Sequence, residues 1–324
     1  MKFSHLIVLL FLSLSLQAQN GEILAKADAK QPESRAENST VIVTGARFSY
    51  KLVQKWIDDF NKVNPDIQVV IESRGTSDPS QYDVLAEVYE QDPAIKDTRE
   101  YVYVGRYAVL PVASTNSEFS EAYAKKGLTA DLIKLIYFND MFADQEKASK
   151  IKVPYTGYTR LQKAGVPSVF AKYFGFEQKD IKGNAIAGSD EHLLKAMLRD
   201  STGISYLPTP LIYDAATKKP VDGLSVLPVD LDGNGKVNDD ERFYEDQATV
   251  LQKLEQADPK DLKNIPIEYL HLSVSKKNAS PEAVAFLKWV NENGQNYLSE
   301  FGYLKPEASR PEKASFDDFA KRAN

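Results

Sequence analysis

The chain has no cysteine, three histidines and two tryptophans among 324 residues. Without cysteine there is no disulfide frame, no thiolate nucleophile and no Cys-ligated metal site, so a chain of this length relies on core burial, with metal as the remaining staple. A lipid-anchoring cysteine after the N-terminal apolar run is excluded as well. Of the histidines, His5 lies just before that N-terminal run, His192 falls in a helical pattern and His271 in a strand pattern; the last two read as structural. There is no H-E-x-x-H, no G-x-S-x-G elbow and no Walker loop, which removes the common hydrolase and nucleotide-binding signatures. The sequence is read as that of a non-enzyme. The formal charge is −6 with no basic stripe, which argues against a nucleic-acid partner.

Long apolar runs are also missing. "MKFSHLIVLLFLSLSLQAQ" has Lys2 and His5 ahead of apolar residues from Leu6 to Leu16, with the small Ala18 as a cleavage point. That run is shorter than the ~20 residues a membrane helix needs, and no later segment approaches that length. Residues 1–19 are therefore expected to be a cleaved export signal and the rest to be periplasmic and not membrane-embedded. Residues 20–39 are polar and unpatterned, a flexible leader.

The chain is 43% hydrophobic, ordinary for a globular protein, and beyond residue 39 it falls into strand and helix patterns. "TVIVTGA" is a strand. "SYKLVQKWIDDFNKV" repeats Leu52, Val53, Trp56, Ile57, Phe60 and Val63 at helical spacing, with Ser49 placed to cap it. "IQVVIES" is the next strand, and strand, helix, strand in that order is a βαβ unit with parallel pairing. Further strands are expected at "YDVLAEV", "EYVYVGRYAVLPVAS", "ASKIKVPYT", "GISYLP", "LSVLPVD" and "IEYLHLSVS". Helices are expected at "TADLIKLIYFN", "VPSVFAKYFG", "SDEHLLKAMLRDS", "DQATVLQKLEQ" and "SPEAVAFLKWVNENGQNYLSEFGY". The fold class is α/β with mixed sheets flanked by helices, and the length suits two lobes.

The most explicit chemistry is "DLDGNGKVNDDE", residues 230–241. An EF-hand-type loop needs oxygens at positions 1, 3, 5, 7, 9 and 12 and a glycine at 6. Asp230, Asp232, Asn234, the Lys236 carbonyl, Asn238 and Glu241 fill those positions, and Gly235 is the sixth residue. Val237 at position 8 is apolar and suited to anchoring the loop. Calcium is the expected cofactor, in a structural role. The flanks read as a strand and one helix rather than a helix pair, so no opening switch is expected.

Three strand-to-helix loops carry anion-binding chemistry. "TGARFSYK" offers Arg47, Phe48 and Ser49 at a helix N-terminus. "ESRGTSDP" offers Thr76 and Ser77, with Asp78 before Pro79 as a cap. "GYTRLQKAGVPSVF" offers Arg160 and Gly165. In open α/β sheets ligands sit at the carboxyl ends of strands, where such loops lie. Together they point to an oxyanion or carboxylate pocket.

The order and phrasing of "TGARFSYKLVQKWIDDFNKVNPDIQVVIESRGTSD", "GLTADLIKLIYFND", "TRLQKAGVPSVFAKYFG", "DSTGISYLP" and "AFLKWVNENGQNYLSEFGYL" resemble the periplasmic phosphate-binding proteins of phosphate ABC transporters, from about Thr40 to Tyr303. The resemblance implies a two-lobed type II periplasmic-binding-protein fold. Lobe 1 would be residues 40–107 and 270–305, lobe 2 residues 108–269 with the calcium loop 230–241, and 306–324 a weakly ordered tail. Hinge strands would lie near Tyr107–Val112 and Leu270–Val274. The resemblance further implies capture of phosphate or a related small oxyanion between the lobes, by a monomer serving an ABC transporter permease in phosphate transport. By the same resemblance, the family's Thr-Phe pair falls on Arg47 and Phe48, its second-loop serine near Thr76 or Ser77, and its arginine on Arg160. The family's next motif, Ser-Gly-Thr, falls on Ala164, Gly165 and Val166, and the acidic acceptor near Val88, beside Glu87. Four of those positions depart from the pattern: Arg47, Ala164, Val166 and Val88. The alternative is a calcium-stabilised envelope adhesion or sensory module with a degenerate anion pocket.

Overall fold

The computed structural model of the chain describes residues 39–72, 74, 76, 78–89, 93–139, 146, 150–307 and 312–323. The expected signal segment 1–19, the leader up to residue 38, and Ser77 lie outside the described residues.

β1 (Ser39–Gly45) lies parallel to β2 (Ile67–Ile71) and to β3 (Val84–Glu87). The helix Tyr50–Val63 connects β1 to β2 and buries Leu52, Val53, Trp56, Ile57 and Phe60 of the stripe its spacing predicts, whereas Val63, in its last turn, is exposed. β3 pairs antiparallel with β9 (Ile267–Ser275), and β9 with the first part of β4 (Arg99–Ser114).

β4 then changes partner. Arg99–Ala108 pairs with β9, whereas Val109–Ala113 pairs with β7 (Gly203–Pro208) and Val112–Ser114 with β8 (Leu224–Val226). Beyond β7 the second sheet continues parallel through β5 (Thr156–Arg160) to β6 (Asn184–Ile186). One strand order, β2-β1-β3-β9-β4-β7-β5-β6, thus runs through the molecule, with β8 paired to β4. The result is two lobes, each a mixed sheet flanked by helices, strung on β4.

The partner change at Ala108/Val109 lies within the expected hinge Tyr107–Val112. The return crossing is earlier than expected. Leu270–Val274 is embedded in the first sheet, with His271–Val274 held between β3 and β4, while Val109 N–H donates to the Pro266 carbonyl at 2.9 Å. The chain therefore re-enters the first lobe at Ile265–Ile267. Two other expectations are corrected. "ASKIKVPYT" contributes no strand over its described residues Lys150–Tyr155, and β5 starts only at Thr156; Pro154 lacks the N–H a ladder needs. The tail expected at 306–324 contains the helix Glu312–Ala323, whose Phe316 is 1% exposed and whose Ser315 Oγ donates to Glu100 Oε1 at 2.7 Å.

Candidate functional site: an interlobe cleft

The ends of β1, β3 and β5 meet one cleft of about 1380 Å³ between the lobes. Arg47 and Thr76 line it from lobe 1, and Arg160 and Gly165 from lobe 2.

Arg47 opens the turn after β1. Gly45 takes φ +133°, because a Cβ there would meet the Ala86 carbonyl oxygen at 2.0 Å. Ala46 N–H donates to that carbonyl at 2.9 Å and Gly45 N–H to Tyr50 Oη at 3.1 Å, which pins the turn to β3. The exposed Arg47 guanidinium donates through Nη2 to the Arg74 carbonyl at 3.1 Å, joining the first loop to the second. Thr76 Oγ1 accepts from Asp78 N–H at 3.1 Å, and Asp78 caps the turn Pro79–Gln81 through Ser80 N–H.

Phe48 and Ser49 are placed otherwise. Phe48 is buried against Tyr107 and Tyr303, with ring centroids at 5.3 and 6.5 Å. Ser49 is fully buried in helical geometry. Its hydroxyl donates to the Ala46 carbonyl at 2.7 Å and makes no cap bond to the helix Tyr50–Val63, contrary to the expected cap. Neither residue lines the cleft. Their part is to fix the turn that presents Arg47.

Arg160 ends β5 and is mostly buried. Its Nη1 lies 2.9 Å from Oδ1 of Asp190, the first residue of the helix Asp190–Leu198, while its Nε is buried with no hydrogen-bond partner among the described residues. Asp190 is 7% exposed, and burial pushes its carboxyl above the ordinary range while the Arg160 charge pulls it back down. Arg160 is also one of the residues that line the cleft. The loop after Arg160 is organised by Gln178, which sequence reading missed. Gln178 Oε1 accepts from Ala164 N–H at 3.0 Å and from Ser168 Oγ at 3.2 Å; its Nε2 donates to the carbonyls of Gln162 at 2.9 Å and Arg160 at 3.3 Å.

Gly165 starts the helix Gly165–Tyr173 and packs closely against lobe 1. A Cβ there would lie 2.4 Å from Val88 Cγ2 and 3.0 Å from Tyr89 Cδ1. Val88 is buried, and its carbonyl accepts from the Tyr107 hydroxyl. The position where the resemblance puts an acidic acceptor is therefore an apolar lobe–lobe contact. Its neighbour Glu87 does line the cleft, and its Oε2 accepts from Ser273 Oγ at 2.7 Å. Ser273 in turn accepts from Arg99 Nε at 2.7 Å through Oγ, and from Arg99 Nη2 at 2.8 Å through its carbonyl. Arg99 and Asp190 escaped sequence reading because each reaches the cleft from an element remote in the chain. Lys163, Ser189 and Gln162 complete the polar lining of lobe 2.

The calcium-type loop stands apart from this cleft. One carboxylate oxygen each from Asp230, Asp232 and Glu241 gather within 4.8 Å of one another, and Asp230 and Glu241 are buried. Asn234 and Gly235 N–H donate to Asp230 at 3.0 and 2.9 Å, and Leu231 and Asn238 N–H donate to Glu241 at 2.6 and 2.7 Å. Gly235 turns the loop with φ +92°, and Asn234 Oδ1 accepts from Lys236 N–H at 3.1 Å. Val237 fills the space beside Gly127, where a Cβ would be 2.1 Å from its Cγ2.

The architecture is that of the two-lobed periplasmic-binding-protein class. No family model matches the chain. In sequence it is 24% identical over 318 residues to the phosphate-binding protein PstS of Methanocaldococcus jannaschii, covering 83% of this chain and 78% of that protein. In structure it is similar to a protein from Clostridium perfringens assigned as a phosphate ABC transporter substrate-binding protein with bound phosphate, with TM-score 0.61, 15% identity, and 83% and 100% of the two chains covered. It is also similar to an ABC-type phosphate transport receptor from Vibrio cholerae, with TM-score 0.55, 10% identity and the same coverage. All three names describe binding proteins or receptors, not enzymes. Among the described residues no helix is long and apolar enough to cross a membrane.

Proposed function

We propose that this chain is an exported, periplasmic solute-binding protein that captures phosphate or a related small oxyanion between its lobes and delivers it to an ABC transporter permease. The observation that carries the reading is the convergence of Arg47 from lobe 1 and Arg160 from lobe 2 on one cleft. An anion bridging them gains charge-assisted hydrogen bonds only when the lobes close, which couples binding to closure. Resemblance to phosphate-binding receptors supports the ligand class.

The test is calorimetric titration of ligand-stripped protein with phosphate, then sulfate and small carboxylates. Saturable binding of one anion is expected, weakened at least about tenfold in Arg160→Ala, since a hydrogen bond to a charged group contributes about 1.5–3 kcal/mol. No binding and no anion-dependent rise in melting temperature would instead favour the adhesion or sensory module.

The same reading assigns calcium to residues 230–241, held by Asp230, Asp232, Asn234, the Lys236 carbonyl, Asn238 and Glu241. Three carboxylates drawn together, two of them buried, repel one another, and a divalent cation relieves that repulsion. Calcium at 100-fold above its dissociation constant would add about 2.7 kcal/mol of stability. Chelator should lower the melting temperature by several degrees, and Asp230→Ala with Glu241→Ala should abolish the response. An unmoved wild-type melting curve rejects the site.

A further inference from the structure

We infer that the loop 230–241 regulates the cleft: a divalent cation that fixes the loop raises affinity for the anion, by clamping the chain's return passage to lobe 2. The coupling rests on the calcium and oxyanion readings above and joins their two sites.

The two halves of the loop are attached differently. The second half is anchored in lobe 2. Val237 packs beside Gly127, and Arg242, next after the loop, donates to the carbonyls of Ala124 at 2.7 Å and Lys125 at 2.6 Å, at the end of the helix Glu118–Lys126. The first half holds the segment that leads back to lobe 1. The buried Asn264 donates through Nδ2 to the Asp230 carbonyl at 2.6 Å, and Lys263 N–H donates to the Leu231 carbonyl at 2.8 Å. Residues 265–267, the return passage, follow directly. Asp230 and Asp232 belong to the first half and Glu241 to the second, with carboxylate oxygens of all three within 4.8 Å. Their repulsion drives the halves apart, and a divalent cation draws them together.

Two routes lead from the passage to the cleft. Along one, the Pro266 carbonyl accepts from Val109 N–H at 2.9 Å, where β4 changes partner, and nearby Tyr107 donates its hydroxyl to the Val88 carbonyl. Along the other, the Leu262 carbonyl accepts from the Tyr173 hydroxyl at 2.7 Å, and Tyr173 ends the helix that Gly165 begins. Both routes finish at the contact of Gly165 with Val88, two residues that line the cleft from opposite lobes. A clamped passage holds those two walls in register ahead of the anion, so binding spends less on ordering them. The coupling is positive, and by linkage the anion raises calcium affinity by the same factor.

Calorimetric titration of the full chain with inorganic phosphate, in calcium and in EGTA, tests the coupling at concentrations below calcium phosphate precipitation. Phosphate is expected to bind about fivefold more tightly in calcium, and calcium titrated with and without saturating phosphate should return the same factor. Asn264→Ala should keep both separate binding events and bring the factor toward one. If that variant fails to fold, the chain carrying Asp230→Ala and Glu241→Ala is the control, and its phosphate affinity should not respond to calcium. A factor that survives in either variant overturns the inference, since it then arises outside the loop and its tie to Asn264. Wild-type protein that binds both ligands, with equal phosphate affinity in calcium and EGTA, overturns it too and leaves both readings standing. No calcium binding removes the calcium reading and the coupling; no phosphate binding removes the oxyanion reading and the coupling.

Discussion

Arg160 and Asp190 occupy one buried corner of the cleft, and their charges are only partly settled by each other. Burial pushes the Asp190 carboxyl upward, and the Arg160 charge offsets part of that push. Removal of the arginine strands a buried carboxylate, and such strandings cost several kcal/mol, ~3–5. Arg160→Ala should therefore lose stability as well as anion affinity. Asp190→Asn added to it should restore much of the stability and none of the affinity, a coupling that a double-mutant cycle in urea isolates. The pH dependence comes from the sign of the shift. A carboxyl whose folded value lies above its unfolded value takes up a proton more readily when folded, so its ionisation costs stability at high pH and the cost vanishes as pH falls below both values. The deficit of Arg160→Ala relative to wild type should accordingly shrink from pH 7 to pH 4; an equal deficit at both would assign it to lost packing. Arg160 is legible in the sequence because it ends a strand-like segment in a cationic loop. Asp190 is not, because only the parallel register of β5 with β6 brings the start of the next helix beside it.

Elements are legible where apolar period and capping agree, and misleading where a local signal has a tertiary competitor. Ser49 has the residue type of a cap, yet its hydroxyl turns back to Ala46 inside the core. "ASKIKVPYT" has strand-like residues, but the pairing falls on the short "TGYTR" at residues 156–160, where Gly157 and Gly183 let β5 and β6 approach. A Cβ on Gly183 would be 2.3 Å from the Gly157 carbonyl oxygen. The carboxylates of Asp230, Asp232 and Glu241 that gather in one turn lie within twelve residues of sequence, so their grouping needs no tertiary knowledge to read. The helix Gln247–Gln256 is the plain case. Asp246 accepts Thr249 N–H at 2.9 Å and Thr249 Oγ1 at 2.7 Å, and these bonds hold its carboxyl below the ordinary range. Its stabilising contribution is present above the unfolded value near 3.9 and is lost as pH falls through the folded one. Asp246→Ala should cost about 1 kcal/mol at pH 7. The penalty should narrow at pH 3 or below in urea titrations, where the wild-type cap is itself becoming protonated. A penalty independent of pH would mean the side chain matters for packing rather than as an ionised cap.

At the scale of the molecule, two sheets share β4 and the chain returns through Ile265–Ile267, so the lobes are joined by two adjacent backbone passages. The lobes also touch at Gly165 and through Lys218 and Gln247, which donate to the carbonyls of Ser299 and Glu300. The α/β class is visible in the order of strand and helix patterns, and the two-lobed plan in the chain's length and its resemblance to a two-lobed family. The packed helix Glu312–Ala323 is not, because its short amphipathic stretch comes after a proline-bearing segment and reads as polar tail. Nor is the closing contact, because Gly165 reads as an anion-cradling residue until its neighbour across the cleft is known. Its backbone is not in the left-handed region, so steric space alone restricts the position. Gly165→Ala puts a methyl where Val88 Cγ2 stands, and the lobes must part at that edge. The variant should keep its melting temperature without ligand, since neither lobe's interior changes. It should close incompletely with saturating phosphate, leaving a larger radius of gyration in solution scattering and a weaker dissociation constant. Val88→Ala in the same chain clears the space and should recover closure. Normal closure and unchanged affinity in Gly165→Ala would mean that the lobes shut about another contact, and that the anion draws them together without passing through this one.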